Sequence, residues 1–196
     1  MASAGIVGIA VGFAAKDSLA NLFAGFFIVT DAPYKVGDYI VFDTGERGRV
    51  TQIGLRSTRL LTRDDVEITI PNSIIANSKI VNESGGPWER SRVRVQVGVA
   101  YGRDIDVVRE VLMKVARSSQ HLCTDPEPRV RLRAFGDSGL NFELLGWIDL
   151  PERRGQVLDA LNSAVYQQFA AHGIEIPFPK RDLYIKQMPT ALVTRD

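Results

Sequence analysis

The residues of this sequence that could support catalysis are few and poorly spaced. The run Gly136-Asp137-Ser138-Gly139 matches the tetrapeptide around a serine-protease nucleophile. Such a serine also needs a histidine base and an aspartate at suitable separations, and His121 lies only a short distance upstream. A Gly-Asp-Ser-Gly run is well suited to a hairpin turn. We therefore interpret the tetrapeptide as a turn, and the sequence predicts no enzyme.

Metal, cofactor and nucleic-acid chemistry are equally poorly supported. His121 and Cys123 could share a metal ion, but a metal site normally takes three or four protein ligands, and no others are in sight. His172 is better interpreted as a residue at a helix C-terminus. The net charge of +1 gives no general attraction for nucleic acid. Arginines recur at alternate positions, at Arg90, Arg92, Arg94, Arg129, Arg131 and Arg133. This pattern favours a solvated sheet face over the lining of a vestibule or a nucleic-acid surface. A nucleic-acid surface is further disfavoured because no aromatic residues are interleaved with the arginines for base stacking. No cofactor and no nucleic-acid partner are predicted.

The most unusual composition lies near the N-terminus, where residues 4–15 carry no polar side chain. Small residues on one stripe let helix backbones approach closely in lipid, and Gly8 to Gly12 is a Gly-x-x-x-Gly motif. Ile9 and Phe13 share another face of the predicted helix, because they are four residues apart. If the small faces make the helix contacts, Ile9 and Phe13 point at a common axis and can form a hydrophobic pore constriction. The predicted packing positions are Ala4, Gly5, Gly8, Ala10, Gly12 and Ala14.

Charged residues interrupt this apolar run and predict a bend near residues 16–18. Asp17 or Ser18 could cap a second, amphipathic helix that ends before Pro33. Lys16 is expected near a pore mouth, either as part of a positively charged ring or as an interfacial residue. The clean apolar run of residues 2–15 is too short for a bilayer core of about 30 Å. A signal peptide would need basic residues ahead of it, and none precedes Lys16.

Two further domains are predicted after this helix. Residues 32–84 contain short strands separated by turn signals and predict a small all-β domain. Residues 83–87 look like a linker, because they combine glycine, serine and proline. Residues 88–181 predict the order strand, helix, strand, strand, helix, which is close to a ferredoxin-like α/β fold. Residues 182–187 predict a last strand, and residues 188–196 a frayed tail.

Three runs together resemble the mechanosensitive channel of small conductance (MscS) family. They are GIAVGFAAKDSLANLFAGFFIVTDAPYKVGDYI, GRVTQIGLRSTRL and Ile70-Pro71-Asn72, and the resemblance extends to about Gln187. The family has leucine at both constriction positions in its best-known form, so Ile9 is a conservative difference and Phe13 is a larger one. The most specific motif positions outside the helix are Pro33, Gly37, Asp38, Pro71 and Asn72.

The resemblance implies a pore helix followed by an Sm-like β domain and an α/β domain. It also implies a homoheptamer in the inner membrane, opened by bilayer tension, that releases ions and small osmolytes on hypo-osmotic shock. In such a channel the terminal strand joins its copies in a small barrel, and membrane lipid is a partner. Family members carry membrane helices before the pore helix, so this chain is expected to be a fragment. The alternative is a soluble, ring-forming Sm-like module that binds RNA.

Overall fold

The N-terminal element is one continuous helix. The structure, a computed structural model, describes residues 2–85, 88–184 and 186, and helix α1 runs over Ala2–Asp31. The predicted separation into two helices, with Asp17 or Ser18 as a cap, is wrong, because both residues lie inside α1. An interior aspartate or serine costs a helix less than about 1 kcal/mol, which is too little to end one without a proline. Asn21 also donates a hydrogen bond from Nδ2 to the Asp17 carbonyl (2.8 Å), within the same helix.

α1 ends just before Pro33, as predicted. Proline has no N–H to continue the helix and disfavours helical backbone in the residue before it. Ala32 accordingly leaves the helix with φ of +44°. The chain then turns towards the first strand.

Five antiparallel strands form the first sheet, in the order β4-β3-β2-β1-β5. Short strands separated by turns are expected here, because short alternating apolar runs between polar turns specify such strands well. Ile40, Val50 and Leu60 are fully or almost fully buried in a core between this sheet and the end of α1. This β domain contains β1 (Tyr39–Phe42), β2 (Arg47–Ile53), β3 (Ser57–Leu61), β4 (Glu67–Pro71) and β5 (Ile80–Asn82).

A short helix, α2 (Asn72–Ala76), follows the fourth strand directly. Pro71 pairs with Ser57 as the last residue of β4. The Asn72 N–H donates to the Arg56 carbonyl (2.9 Å), so the first residue of α2 is fastened to the loop before β3. The buried Asn72 side chain is thereby placed beneath α1.

A second sheet and two helices make up the α/β domain. Its three antiparallel strands have the order β6-β8-β7, and helices α3 and α4 cover one face. Val93, Val95 and Val99 are buried on that face of β6, and Arg92 and Arg94 alternate with them on the exposed face. Asp104 caps α3 by accepting hydrogen bonds from two backbone N–H groups. The elements are β6 (Ser91–Ala100), α3 (Ile105–Ser118), β7 (Arg129–Phe135), β8 (Gly139–Ile148), a 3-10 turn (Pro151–Arg153) and α4 (Arg154–Ala171).

The opposite face of this sheet carries the alternating arginines around one buried carboxylate. Glu143 in β8 is only 3% exposed. Arg133 Nε donates to it at 2.6 Å, and the Arg94 guanidinium lies 4.0 Å away. Both arginine side chains are about half exposed, so this face is solvated while its buried charge is neutralised.

The Gly-Asp-Ser-Gly run is a hairpin turn that also holds the chain after α4. The Gly136 N–H donates to the Gly139 carbonyl (2.7 Å), which closes the turn between β7 and β8. Ser138 Oγ accepts a hydrogen bond from the Lys180 N–H (3.1 Å). A side chain at position 139 would meet the ring of Pro177 at 2.9 Å. These contacts give the tetrapeptide a structural role.

The chain after α4 returns along the first strand of the α/β domain. The Ala100 N–H donates to the Glu175 carbonyl (2.9 Å), so this segment lies beside the end of β6. Leu183 and Tyr184 are exposed and belong to no strand within the single chain. Ile185 and residues 187–196 lie outside the described residues, so most of the predicted last strand and the tail stay predictions.

Candidate functional site on the N-terminal helix

The first half of α1 exposes its bulky side chains. Ile9 is 62% exposed and Phe13 is 75% exposed, and their spacing puts them on one face of the helix. An apolar face of this kind is normally covered in a soluble protein. The part of the chain that the structure describes provides no cover for it.

The small residues of the same helix are also uncovered. No heavy atom outside the helix would lie within 4 Å of a Cβ placed at Gly5, Gly8 or Gly12. Ala10 and Ala14 are exposed as well, and Ala4 lies within the helix. Because glycine costs a helix about 1 kcal/mol relative to alanine, three uncovered glycines indicate a contact made outside the single chain.

The charged residues that follow lie on the exposed helix surface. Lys16, Asp17 and Ser18 are all exposed, and the helix continues through them. Lys16 lies seven residues after Ile9, which is close to two helical turns. A lysine at this place puts a positive charge near one end of the apolar face.

The second half of α1 packs on the β domain through one narrow stripe. Ala24, Gly25 and Ile28 are buried, whereas Phe23, Phe26 and Phe27 are more than half exposed. A Cβ at Gly25 would overlap the Leu55 carbonyl oxygen and would lie 2.6 Å from Asn72 Nδ2. Only glycine allows this approach of helix backbone to domain. The amphipathic pattern predicted for this half of the helix does not single out the small residues that make the contact.

Asn72 is the buried polar centre of the contact. Its side chain is completely buried, and all its hydrogen bonds are to the loop and strand beneath the helix. Nδ2 donates to the carbonyl oxygens of Gly54 (2.9 Å) and Leu55 (3.1 Å). Oδ1 accepts from the Thr58 hydroxyl (3.0 Å). Satisfying every polar atom in this way makes a buried amide specific for one arrangement.

Tyr34 extends the same network to the chain after α1. Its hydroxyl lies 3.2 Å from Thr58 Oγ1, and since Thr58 donates to Asn72, Tyr34 is the donor in this pair. Burial raises the pKa of Tyr34, so the phenol keeps its proton at neutral pH. A continuous path of hydrogen bonds therefore runs from residue 34 to the residue under Gly25.

Asn21 makes the direct polar link between helix and domain. Its Oδ1 accepts a hydrogen bond from the Ser73 N–H (2.9 Å), at the first turn of α2. The N–H groups at the start of a helix have no partner within it, so a side-chain acceptor is favourable there. Asn21 was missed from the sequence, although a lone amide between Ala20 and Leu22 is a weak indication of such a role.

Replacing Asn21 with alanine is expected to loosen this link. The Ser73 N–H loses its acceptor, and one such hydrogen bond contributes about 1 kcal/mol. Hydrogen exchange at Ser73 should therefore become several-fold faster, while exchange at Val95, near the centre of β6, stays unchanged. Equal exchange at Ser73 in both proteins would contradict the link.

The motif residues between helix and sheet fix the route of the chain. Asp38 Oδ2 accepts hydrogen bonds from the Lys35 N–H (2.9 Å) and from Asn82 Nδ2 (2.7 Å). Gly37 has φ of +99°, a region that favours glycine, and its N–H donates to the Val50 carbonyl (2.8 Å). This joins the linker after α1 to the central strand β2 and to the edge strand β5. The motif is structural in the single chain.

The described residues form no group of side chains suited to a metal ion. Within those ranges, no group of three or more His, Cys, Asp and Glu side chains could hold a metal ion. Cys123 is half-buried, and burial raises the pKa of its thiol, which makes it a poor nucleophile.

Among the described helices, one passes the length and composition test for a membrane span. The segment is Gly8–Asp31, and little of it is buried against the rest of the chain. A buried core helix would be largely covered, so the low burial favours contact with lipid or with other copies.

Two family profiles match adjoining parts of the chain. The profile "Mechanosensitive ion channel, beta-domain" matches residues 17–85, and "Mechanosensitive ion channel MscS, C-terminal" matches residues 93–176. An uncharacterised MscS-family protein of Synechocystis is 36% identical over 93% of the chain. The chain spans only 60% of that relative's own length.

A relative and a solved structure from Helicobacter pylori match the chain more completely. The small-conductance mechanosensitive channel of that organism is 30% identical over 95% of the chain, which spans 67% of the relative. The closed-state crystal structure of H. pylori MscS has a TM-score of 0.82 and 30% identity, over 95% of this chain and 73% of that one. The chain therefore belongs to the MscS family.

Proposed function

We propose that this chain lines the pore of a tension-gated ion channel in a cell inner membrane and forms its cytoplasmic part. The observation that carries the proposal is the uncovered first half of α1. Ile9 and Phe13 are exposed there, and no atom of the described chain lies close to its glycines. Such a helix suits contact with its own copies and with lipid. The permeants are ions and small osmolytes, which would leave the cell on hypo-osmotic shock.

The closed pore is held by the two kinds of face on α1. Small faces of neighbouring helices pack together, and this turns Ile9 and Phe13 towards the axis. Rings of these side chains make a narrow apolar neck from which water withdraws, so ions do not pass. Membrane tension favours whichever state has the larger area, just as a ligand favours the state it binds better. Sliding along the glycine and alanine faces then widens the neck.

Movement of the pore helix is linked to the β domain by the contact around Gly25. The helix cannot tilt at this level without moving Asn72 or breaking the Asn21–Ser73 hydrogen bond. We propose that this contact keeps the second half of α1 fixed while the first half moves. Lys16 and Asp17 lie between the two parts, and Lys16 gives the pore mouth its positive charge.

The assembly we propose is a homoheptamer with a hollow cytoplasmic vestibule and side portals. The five-stranded sheet of residues 32–84 supports an Sm-like domain that assembles side by side. Residues 88–181 support a ferredoxin-like domain, since their strand order β6-β8-β7 leaves the place beside β6 to the chain near Glu175. Residues 182–187 of all copies would pair in a small terminal barrel.

Replacing Gly8 with leucine is expected to obstruct the close approach of pore helices. A leucine side chain extends several ångströms from the backbone, so the small faces can no longer slide past one another. Channels should need clearly higher tension to open, or should fail to open, in patch recordings. Ile6→Leu is the matched control, because Ile6 is already bulky and 70% exposed. Unchanged gating in Gly8→Leu would contradict the packing role of this face.

The proposal is tested by the mass of the assembled particle, measured on the complete protein with and without detergent. A particle of seven copies that needs detergent to stay soluble supports the channel, and tension-activated currents in liposome patches then establish it. A monomer, dimer or hexamer that is soluble without detergent would overturn the proposal. In that case α1 would not line a pore.

A further inference from the structure

Two arginines of the β domain reach across to the 3-10 turn that precedes α4. Arg63 Nη2 donates to the Pro151 carbonyl (2.7 Å), and Arg49 forms an ion pair with Glu152. Among the described residues, no other side-chain hydrogen bond or ion pair joins residues 32–85 to residues 88–184. The relative placement of the two domains therefore depends heavily on this junction.

Tyr39 lies in the same junction and is poorly satisfied there. It lines a cleft of about 500 Å³ together with Arg49, Arg63 and Glu152. The residue is 1% exposed, and its hydroxyl has no hydrogen-bond partner among the described residues. The Arg63 guanidinium carbon lies 5.3 Å from the centre of its ring. Burial raises the pKa of Tyr39, so the hydroxyl keeps the proton that it cannot donate.

Neighbouring residues therefore act on this junction in opposite directions. Closing it gives Arg63 a carbonyl acceptor and an aromatic surface, both of which are favourable. Closing it also takes the Tyr39 hydroxyl away from water and offers it nothing in return, which is unfavourable. A phenylalanine would fill the same space without that penalty.

We propose that Arg49 and Arg63 are positioning residues that hold the α/β domain against the β domain, and that Tyr39 keeps this contact weak enough to open. When the junction opens, water reaches the hydroxyl and the penalty is relieved. If the chain forms a channel vestibule, as proposed above, the two domains enclose it, so the junction sets the width of the openings between them. That consequence rests on the proposed function, whereas the contact itself does not.

The structure provides a matched control for Tyr39. Tyr34 is equally buried in the same domain, at 1% exposed, but its hydroxyl is bonded to Thr58. Tyr34→Phe loses a hydrogen bond, whereas Tyr39→Phe loses only an unsatisfied group. The first change should lower the thermal midpoint of the protein, and the second should leave it unchanged or raise it.

The proposal is tested by measuring the distance between the two domains with pulsed electron paramagnetic resonance. Spin labels are placed at Thr69→Cys and Asn162→Cys in a Cys123→Ser background of the complete protein, with labelled chains diluted among unlabelled ones. Tyr39→Phe should reduce the longer-distance population about five- to tenfold. Arg63→Gln and Glu152→Gln should each increase it several-fold, because each removes one bridge.

A longer-distance population that is unchanged or larger in Tyr39→Phe would overturn the role of the hydroxyl. Unchanged distances in both Arg63→Gln and Glu152→Gln would overturn the positioning role of the arginines. Tyr34→Phe should leave the distances unchanged, and an effect as large as that of Tyr39→Phe would mean that the readout follows general loosening of the β domain. These failures would leave the particle mass and currents untouched, so they are distinguishable from failure of the channel assignment.

Discussion

Phe13→Ser is expected to give a channel that leaks at rest or opens at much lower tension. In every copy of the chain, the substitution replaces a large apolar side chain at the predicted constriction with the small polar side chain of serine. This removes about 2 kcal/mol of apolar stabilisation per chain. The neck then holds water, which carries ions. Cells that express the variant should grow slowly, and patches should show currents at tensions where the wild-type protein is closed.

The control for this change is Phe135→Ser. Phe135 is 76% exposed, against 75% for Phe13, but it lies at the end of β7 in the α/β domain. Loss of an equally exposed phenylalanine there should leave the tension threshold unchanged. A Phe13→Ser channel with normal threshold and no leak would contradict the constriction. Equal effects of both variants would mean that the change acts through folding or expression.

The strands and helices of the two domains could largely be predicted, because their signals are local. The alternation of valine and arginine in β6 and the aspartate before α3 each act within a few residues. The continuity of α1 could not be predicted in the same way. A Lys-Asp-Ser run resembles a helix boundary, but these residues destabilise a helix only slightly. The helical turns on both sides outweigh that free energy, so the helix continues.

The candidate site also has parts that local sequence patterns predict and parts that they do not. Spacing and family resemblance predict Ile9, Phe13 and the glycines as pore-helix positions, and the structure leaves all of them exposed. The contact beneath the helix was not found, because it joins Asn21 to Ser73, which is 52 positions away. Nor does any local pattern distinguish the satisfied hydroxyl of Tyr34 from the unsatisfied one of Tyr39. Such differences come from tertiary packing.

Gly25→Ala should destabilise the protein, against the usual direction of this change in a helix. Alanine normally stabilises a helix by up to about 1 kcal/mol relative to glycine. At Gly25 the new methyl group would overlap the Leu55 carbonyl and crowd the Asn72 amide, so α1 and the β domain must separate. Overpacking of this kind costs about 1–3 kcal/mol, and here it also strains a buried hydrogen-bond network.

Gly155→Ala is the control for the direction of the stability change. Gly155 lies in α4, and a Cβ there would meet no atom within 4 Å, so helix propensity alone should decide the outcome. We expect the thermal midpoint to rise slightly in Gly155→Ala and to fall by several degrees in Gly25→Ala, with channel opening impaired only in the latter. If both variants were stabilised, the helix would not lie against the domain, and the pore helix would have to be coupled to the cytoplasmic part by some other contact.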